Sequence, residues 1–107
     1  MPAILKGYID RVFSFGFAYE IKPDGTAVGL FENKRVFLIS TTGASKEQYE
    51  EAGAFKMMNM SIDGAIFMFA GMEVIEHKYF SSVPSVSDKE RKQMLEELRV
   101  VVREKVL

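Results

Sequence analysis

Apolar residues first gather at Ile4, Leu5, Tyr8, Ile9, Val12 and Phe13, a spacing that places them on one stripe of a helix. Pro2 suits the first turn, where its missing N–H costs nothing. Gly7 interrupts the stripe, at about 1 kcal/mol relative to alanine. Either another backbone or a flat ligand comes close there, or the helix is loosely constrained near a chain end. From Ser14 to Tyr19 aromatic and small residues alternate, with Gly16 as a bend. That pattern can build a flat wall for a ring-shaped ligand; spacing alone favours a core-capping loop or edge strand. Pro23-Asp24-Gly25 is a turn, so the flanks Glu20 to Lys22 and Thr26 to Leu30 are expected to form a short hairpin or excursion.

The pattern then changes. Val36, Phe37, Leu38 and Ile39 form an unbroken apolar run, as expected of a strand covered on both faces in a parallel sheet. It stops at Ser40-Thr41-Thr42-Gly43, and Ser45 with Gln48 forms a capping box that opens a helix. Ligands of open α/β sheets sit outside the carboxyl ends of strands, which is where Thr41, Thr42 and Gly43 fall. The helix carries Tyr49 in its first turn and is expected to stop near Gly53. Met57, Met58 and Met60 follow, a cluster that serves either a core or an adaptable surface. Ile62, Ala65, Ile66 and Phe69 give a second helix its apolar spacing, with Gly71 as its C-cap. Glu73 to Val83 reads as a second strand, more mixed than the first and hence nearer an edge. It holds His77, for which a solvated or hydrogen-bonded bystander is the simpler reading than a catalyst. Ser87-Asp88-Lys89-Glu90 caps a last helix running from Asp88 to the end, with Leu95, Leu98, Val101 and Val102 as its core face.

Strands alternating with helices predict an α/β fold with a parallel sheet and right-handed crossovers. Two strong strands are few for such a sheet, whose edges need partners. The chain is therefore expected to associate with another copy or partner, or to be part of a larger domain. Its opening on an apolar helix points the same way.

Composition narrows the chemistry. A chain of 107 residues is expected to be one domain, residues 1–107, and 48% hydrophobic with 27% charged residues is an ordinary globular balance. A net charge of −1 gives no electrostatic reason to expect nucleic acid or an acidic membrane surface as partner. Without cysteine, and with His77 as the only histidine, thiol catalysis and thiolate or multi-histidine metal sites are excluded. No apolar run approaches the roughly 20 residues of a membrane span, and no basic-then-apolar leader opens the chain. A cytoplasmic location is the default expectation.

Three stretches resemble one family: Met1 to Phe13 (M-P-A-I-L-K-G-Y-I-D-R-V-F), Gly16-Phe17-Ala18-Tyr19, and Ser40-Thr41-Thr42-Gly43-Ala44. Together, with Phe69-Ala70-Gly71-Met72 and the closing helix, they are similar to the NAD(P)H dehydrogenase (quinone) family of flavodoxin-like flavoproteins. The resemblance runs the whole length of the chain and implies the C-terminal half of such an enzyme, a partial flavodoxin-like parallel sheet with flanking helices. It implies hydride transfer from NAD(P)H through FMN or FAD to a quinone-type acceptor. By the same resemblance Thr41, Thr42, Gly43 and Ala44 lie along the flavin ring, Tyr49 is the catalytic hydrogen-bonding phenol, and Phe17 and Tyr19 wall the substrate pocket. That pocket implies a homodimer. Some relatives carry a catalytic histidine six residues after the tyrosine; Phe55 stands there in this chain. The family's phosphate-binding turn matches no residues here, so the isolated chain is expected to bind flavin weakly or not at all. The alternative is a non-catalytic half-domain that self-associates or pairs with a separately encoded N-terminal half.

Overall fold

A computed structural model describes residues 1–107. Helix α1 (Ala3–Val12) leads to a hairpin of β1 (Tyr19–Ile21) and β2 (Ala27–Gly29). Then follow β3 (Arg35–Thr41), α2 (Lys46–Ala52), α3 (Ala54–Met58), a π-helix (Asn59–Met68), β4 (Glu73–Phe80) and α4 (Asp88–Lys105). Strands β3 and β4 form a two-stranded sheet. The Glu73 amide donates to the Lys34 carbonyl where both strands begin, and the Thr42 amide donates to the Phe80 carbonyl where both end. The pair is therefore parallel, as the alternation of strands and helices predicts. The chain divides into two compact units, Met1–Val36 with Met60–Val74, and Phe37–Asn59 with Ile75–Leu107.

The first unit is built on aromatic edges. Phe13 meets Phe31 at 5.5 Å and Phe67 at 5.9 Å, both edge-on, and Phe17 meets Phe31 at 5.3 Å. Ile9, Ala18, Phe67 and Ala70 are its buried apolar residues. The hairpin forms where the turn residues predict it. The Thr26 amide donates to the Asp24 carboxylate at 2.9 Å, and β1 pairs antiparallel with β2, Tyr19 opposite Gly29. Beyond the hairpin, the Phe31 amide reaches the Ala70 carbonyl at 2.8 Å. A Cβ on Gly29 would lie 2.1 Å from the Gly71 nitrogen, so only glycine lets these backbones meet.

Two apolar stripes read from the sequence are redistributed. In α1 only Ile9 is buried, and Ile4 is 87% exposed. A Cβ on Gly7 would meet nothing within 4 Å in this chain. In the stretch after Met58, 3.6-residue spacing picks out Ile62, Ala65, Ile66 and Phe69, whereas Asp63, Phe67 and Ala70 are buried. The buried set has the same spacing moved on by one residue, and the segment is wound as a π turn, seen in the Phe69 amide bonding to Gly64 and the Met72 amide to Phe67, each five residues back.

The second unit holds most of β3 and β4 with α2, α3 and α4. Ser45 and Gln48 form the expected reciprocal capping box, and Gly53 ends α2 in the left-handed conformation at φ 69°. Helix α4 is registered on β4 by charge: Lys78 pairs with Glu97, and Glu76 with Lys105 at 3.0 Å. Arg91 ties its first turn to the preceding loop, donating to the carbonyls of Val83 at 2.9 Å and Val86 at 2.6 Å. Leu95, expected in the core face, is 59% exposed, and half-buried Met94 lies inward instead. Strand β3 is not covered on both faces either. Ile39 is 49% exposed, because β3 pairs only with β4 and an open apolar groove runs between it and α4.

Candidate functional site

The turn after β3 is clamped from one side. The buried Thr42 donates its amide to Phe80 at 2.9 Å and accepts on its carbonyl from the Val83 amide at 3.2 Å. Its hydroxyl donates to the Ala44 carbonyl at 2.9 Å, and that carbonyl also accepts from the Ser82 amide at 3.0 Å. Ser82 takes a left-handed φ of 56° to make this contact, a conformation that serine adopts only when its surroundings impose it. The Thr42 and Ala44 carbonyls are thus occupied, while the amides of Gly43 and Ala44 donate to no protein acceptor. A Cβ built on Gly43 meets nothing within 4 Å, so the space on the side-chain side of Gly43 is open. Two amides beside open space, held by a rigid clamp, suit the acceptor atoms at the edge of a flat ring. Thr41, at the end of β3, lines the groove between β3 and α4.

Tyr49 sits in the first turn of α2, its amide bonded to the Ser45 carbonyl at 3.1 Å. Its half-buried ring leans on Phe55 at 5.3 Å, Phe55 on Tyr79 at 4.7 Å, and Tyr79 stacks on His77 at 4.1 Å with 19° between the planes. His77 is hydrogen-bonded on both ring nitrogens, to the Ser40 hydroxyl at 2.8 Å and the Tyr79 hydroxyl at 3.0 Å. The Tyr79 hydroxyl donates onward to Asn59 Oδ1 at 2.7 Å. The sequence pattern marks neither Tyr79 nor Asn59 as a candidate, and gives Ser40 no role beyond its place in the stretch Ser40 to Ala44. The alternation that puts His77 and Tyr79 on one face of β4 was available, but Ser40 lies 37 residues away in sequence.

The turn residues and Tyr49 therefore belong to one unit, and Phe17 and Tyr19 to the other. Tyr19 packs on Phe69 at 5.1 Å and edge-on to Phe15 at 5.8 Å. It helps line a recess of about 260 Å³ with Ile9, Phe13, Ile66 and Phe69. Phe17 is not among the residues lining that recess; its ring lies on Phe31. The buried carboxylate of Asp63, in the π-helix of the same unit, had no signal in the apolar spacing. No helix is long and apolar enough to cross a membrane.

The model of a protein family described as having a flavodoxin-like fold matches residues 1–102. The chain belongs to this flavodoxin-like family. A Haemophilus influenzae protein named uncharacterized NAD(P)H oxidoreductase is 41% identical over 95 residues, covering 89% of this chain and 46% of the relative. The rat protein NAD(P)H dehydrogenase [quinone] 1 is 36% identical over 99 residues, covering 90% of this chain and 36% of its own length. The crystal structure of Smu.1420 from Streptococcus mutans UA159 superposes with a TM-score of 0.76 at 27% identity, covering 97% of this chain and 53% of that one. An NAD(P)H:quinone oxidoreductase from Methanothermobacter marburgensis, at TM-score 0.79 and 23% identity, shares the flavodoxin-like fold. The chain spans about half the length, or less, of these relatives.

Proposed function

We propose that this flavodoxin-like chain carries the ring-facing part of an NAD(P)H:quinone oxidoreductase-type site. The observation that supports it most is the clamped turn, with the unspent amides of Gly43 and Ala44 beside the open side of Gly43. The residues present fit the edge of a flavin ring. When bound, FMN or FAD would accept a hydride from NAD(P)H and deliver it to a quinone-type acceptor. The amides of Gly43 and Ala44 would hold the ring's polar edge, and Thr42 would keep them aimed. The Tyr49 phenol would donate a hydrogen bond to charge developing at the reacting centre. In the other unit, exposed Phe17 and half-buried Tyr19 present aromatic surface of the kind on which a flat acceptor stacks.

Ring contacts alone predict weak binding that ignores the phosphate. The test is amide NMR of the whole chain titrated with riboflavin, FMN and FAD. The expected result is a shift of the Gly43 and Ala44 amide signals, of similar size for riboflavin and FMN. Signals at Thr42–Ala44 that stay still in all three titrations would overturn the reading.

A second reading is favoured by a separate observation. The groove between β3 and α4, about 260 Å³ and lined by Ile39, Phe80, Val83, Met94, Leu95 and Leu98, is almost wholly apolar. On this reading the chain is a non-catalytic half-domain that pairs with itself or with a complementary chain through the open side of β3. Sedimentation distinguishes the two: a colourless dimer with no flavin shifts supports pairing, and a monomer with the shifts supports the site.

A further inference from the structure

Among the second unit's polar contacts, those of His77 tie together two parts of the proposed site. The Tyr79 hydroxyl has one proton, which it donates to Asn59 Oδ1 at 2.7 Å. With the imidazole neutral and its proton on Nδ1, the Tyr79 oxygen accepts from Nδ1–H at 3.0 Å and Nε2 accepts from the Ser40 hydroxyl at 2.8 Å. Every bond in this chain points the same way, from Ser40 through His77 and Tyr79 to Asn59. At one end, Ser40 directly precedes the turn residues Thr41 to Ala44. From Tyr79 a line of ring contacts runs through Phe55 at 4.7 Å to Tyr49 at 5.3 Å.

We infer that His77 is a positioning residue, which fixes Tyr49 relative to the turn after β3 by locking the Tyr79 ring against Phe55. Bonded through the hydroxyl, Tyr79 cannot swing about χ1 without breaking its bonds to His77 and Asn59, and a turn of the ring about its own axis would unstack it from His77 at 4.1 Å. Phe55 has no polar atom of its own to set its orientation, so it takes the position that Tyr79 leaves it. Tyr49, resting on Phe55 from a helix of seven residues, inherits that position. Bonds of this kind contribute modestly to stability but strongly to uniqueness of geometry, because half-buried polar groups lose free energy in any other arrangement. What Tyr49 does once positioned rests on the proposed function; the positioning itself does not.

The test uses the full chain with 13C-labelled tyrosine rings and no flavin. Its four tyrosines, Tyr8, Tyr19, Tyr49 and Tyr79, are assigned by single substitutions. His77→Phe keeps a ring over Tyr79 but removes both nitrogens, and Tyr79→Phe deletes a single oxygen. In each, the Tyr49 ring signals are expected to move toward those of free tyrosine while the Tyr8 signals stay. Ser40→Ala is expected to give part of the same shift, and Ser40→Thr, which keeps the hydroxyl, to restore the parent spectrum. Unchanged Tyr49 signals in folded His77→Phe and Tyr79→Phe would overturn the inference, as would a Ser40→Thr spectrum displaced as far as that of Ser40→Ala. If His77→Phe fails to fold, Tyr79→Phe and the Ser40 pair decide the matter. Because flavin is absent, the outcome does not depend on whether the chain binds one.

Discussion

Replacing Gly29 by alanine adds one methyl group at the tightest backbone crossing in the first unit. The new Cβ would sit 2.1 Å from the Gly71 nitrogen, 2.2 Å from the Ala70 carbonyl carbon and 2.6 Å from its oxygen. Ordinary contact begins near 3.4 Å, so the hairpin and the turn at Ala70-Gly71 must separate by about 1.3 Å. The neighbours are backbone atoms, which cannot swing aside as a side chain would. At that separation the 2.8 Å bond from the Phe31 amide to the Ala70 carbonyl is lost. Overpacking costs about 1–3 kcal/mol and a broken backbone bond about 1 kcal/mol. The expected destabilisation is about 2–4 kcal/mol, or a fall in Tm of the order of 10–30 °C for a chain of this size. Urea unfolding gives the magnitude, and hydrogen exchange at the Phe31 amide shows whether the loss is local. Gly43→Ala is the control, since its added Cβ meets nothing within 4 Å; it should stay within about 0.5 kcal/mol of the parent. A Gly29→Ala protein as stable as Gly43→Ala, with the Phe31 amide equally protected, would refute the reasoning.

Ser45→Ala removes the acceptor of the Gln48 amide in the capping box of α2, and urea unfolding should show a loss of about 1 kcal/mol. The amide of Thr26, followed by its hydroxyl, holds the Asp24 carboxyl below its ordinary 3.8. Its contribution to the hairpin is therefore present above pH 3.8 and lost as pH falls through the lowered value. Exchange at the β1–β2 amides should accelerate over that acid range in the parent, and Asp24→Asn should remove the pH dependence. On the pairing reading, Leu95→Arg in the apolar groove should shift sedimentation from dimer to monomer without changing the far-UV spectrum.

The best-read part of the fold is β3, its turn and α2, because each signal there is local. An apolar run makes a strand and Ser45 with Gln48 makes a cap without help from distant residues. Burial was less legible. The stripe of α1 is correctly spaced, yet only Ile9 is covered, since what covers a helix face depends on the rest of the structure. The π-helix escaped because spacing rules assume 3.6 residues per turn and do not register i to i−5 bonds; its buried residues, Asp63, Phe67 and Ala70, lie one position on from the apolar stripe. In α4 half-buried Met94 turns inward and Leu95 stays exposed, a rotation of the helix that its own apolar spacing does not specify. The candidate turn was legible through its resemblance to a family, but the His77 contacts were not. They join residues 37 apart through two strands, a relation no local pattern encodes.

The turn and the groove share Phe80 and Val83, but the clamp on the turn uses only backbone atoms of these residues. Every backbone bond that clamps Thr42 and Ala44 comes from Phe80, Ser82 and Val83, at the exit of β4. None comes from the open side of β3. The amides of Gly43 and Ala44 are therefore aimed by the chain itself, whatever covers Ile39 and Leu95. If the clamp suffices, flavin-induced shifts at Gly43 and Ala44 should persist at equal size in Leu95→Arg, where any pairing through the groove is abolished. If the shifts vanish together with the dimer, the open side of β3 contributes to the ring site, and the clamp at Phe80 to Val83 is not enough to build it. The two outcomes separate a self-sufficient ring contact from one assembled only on association, and the substitution that decides replaces no residue of the turn.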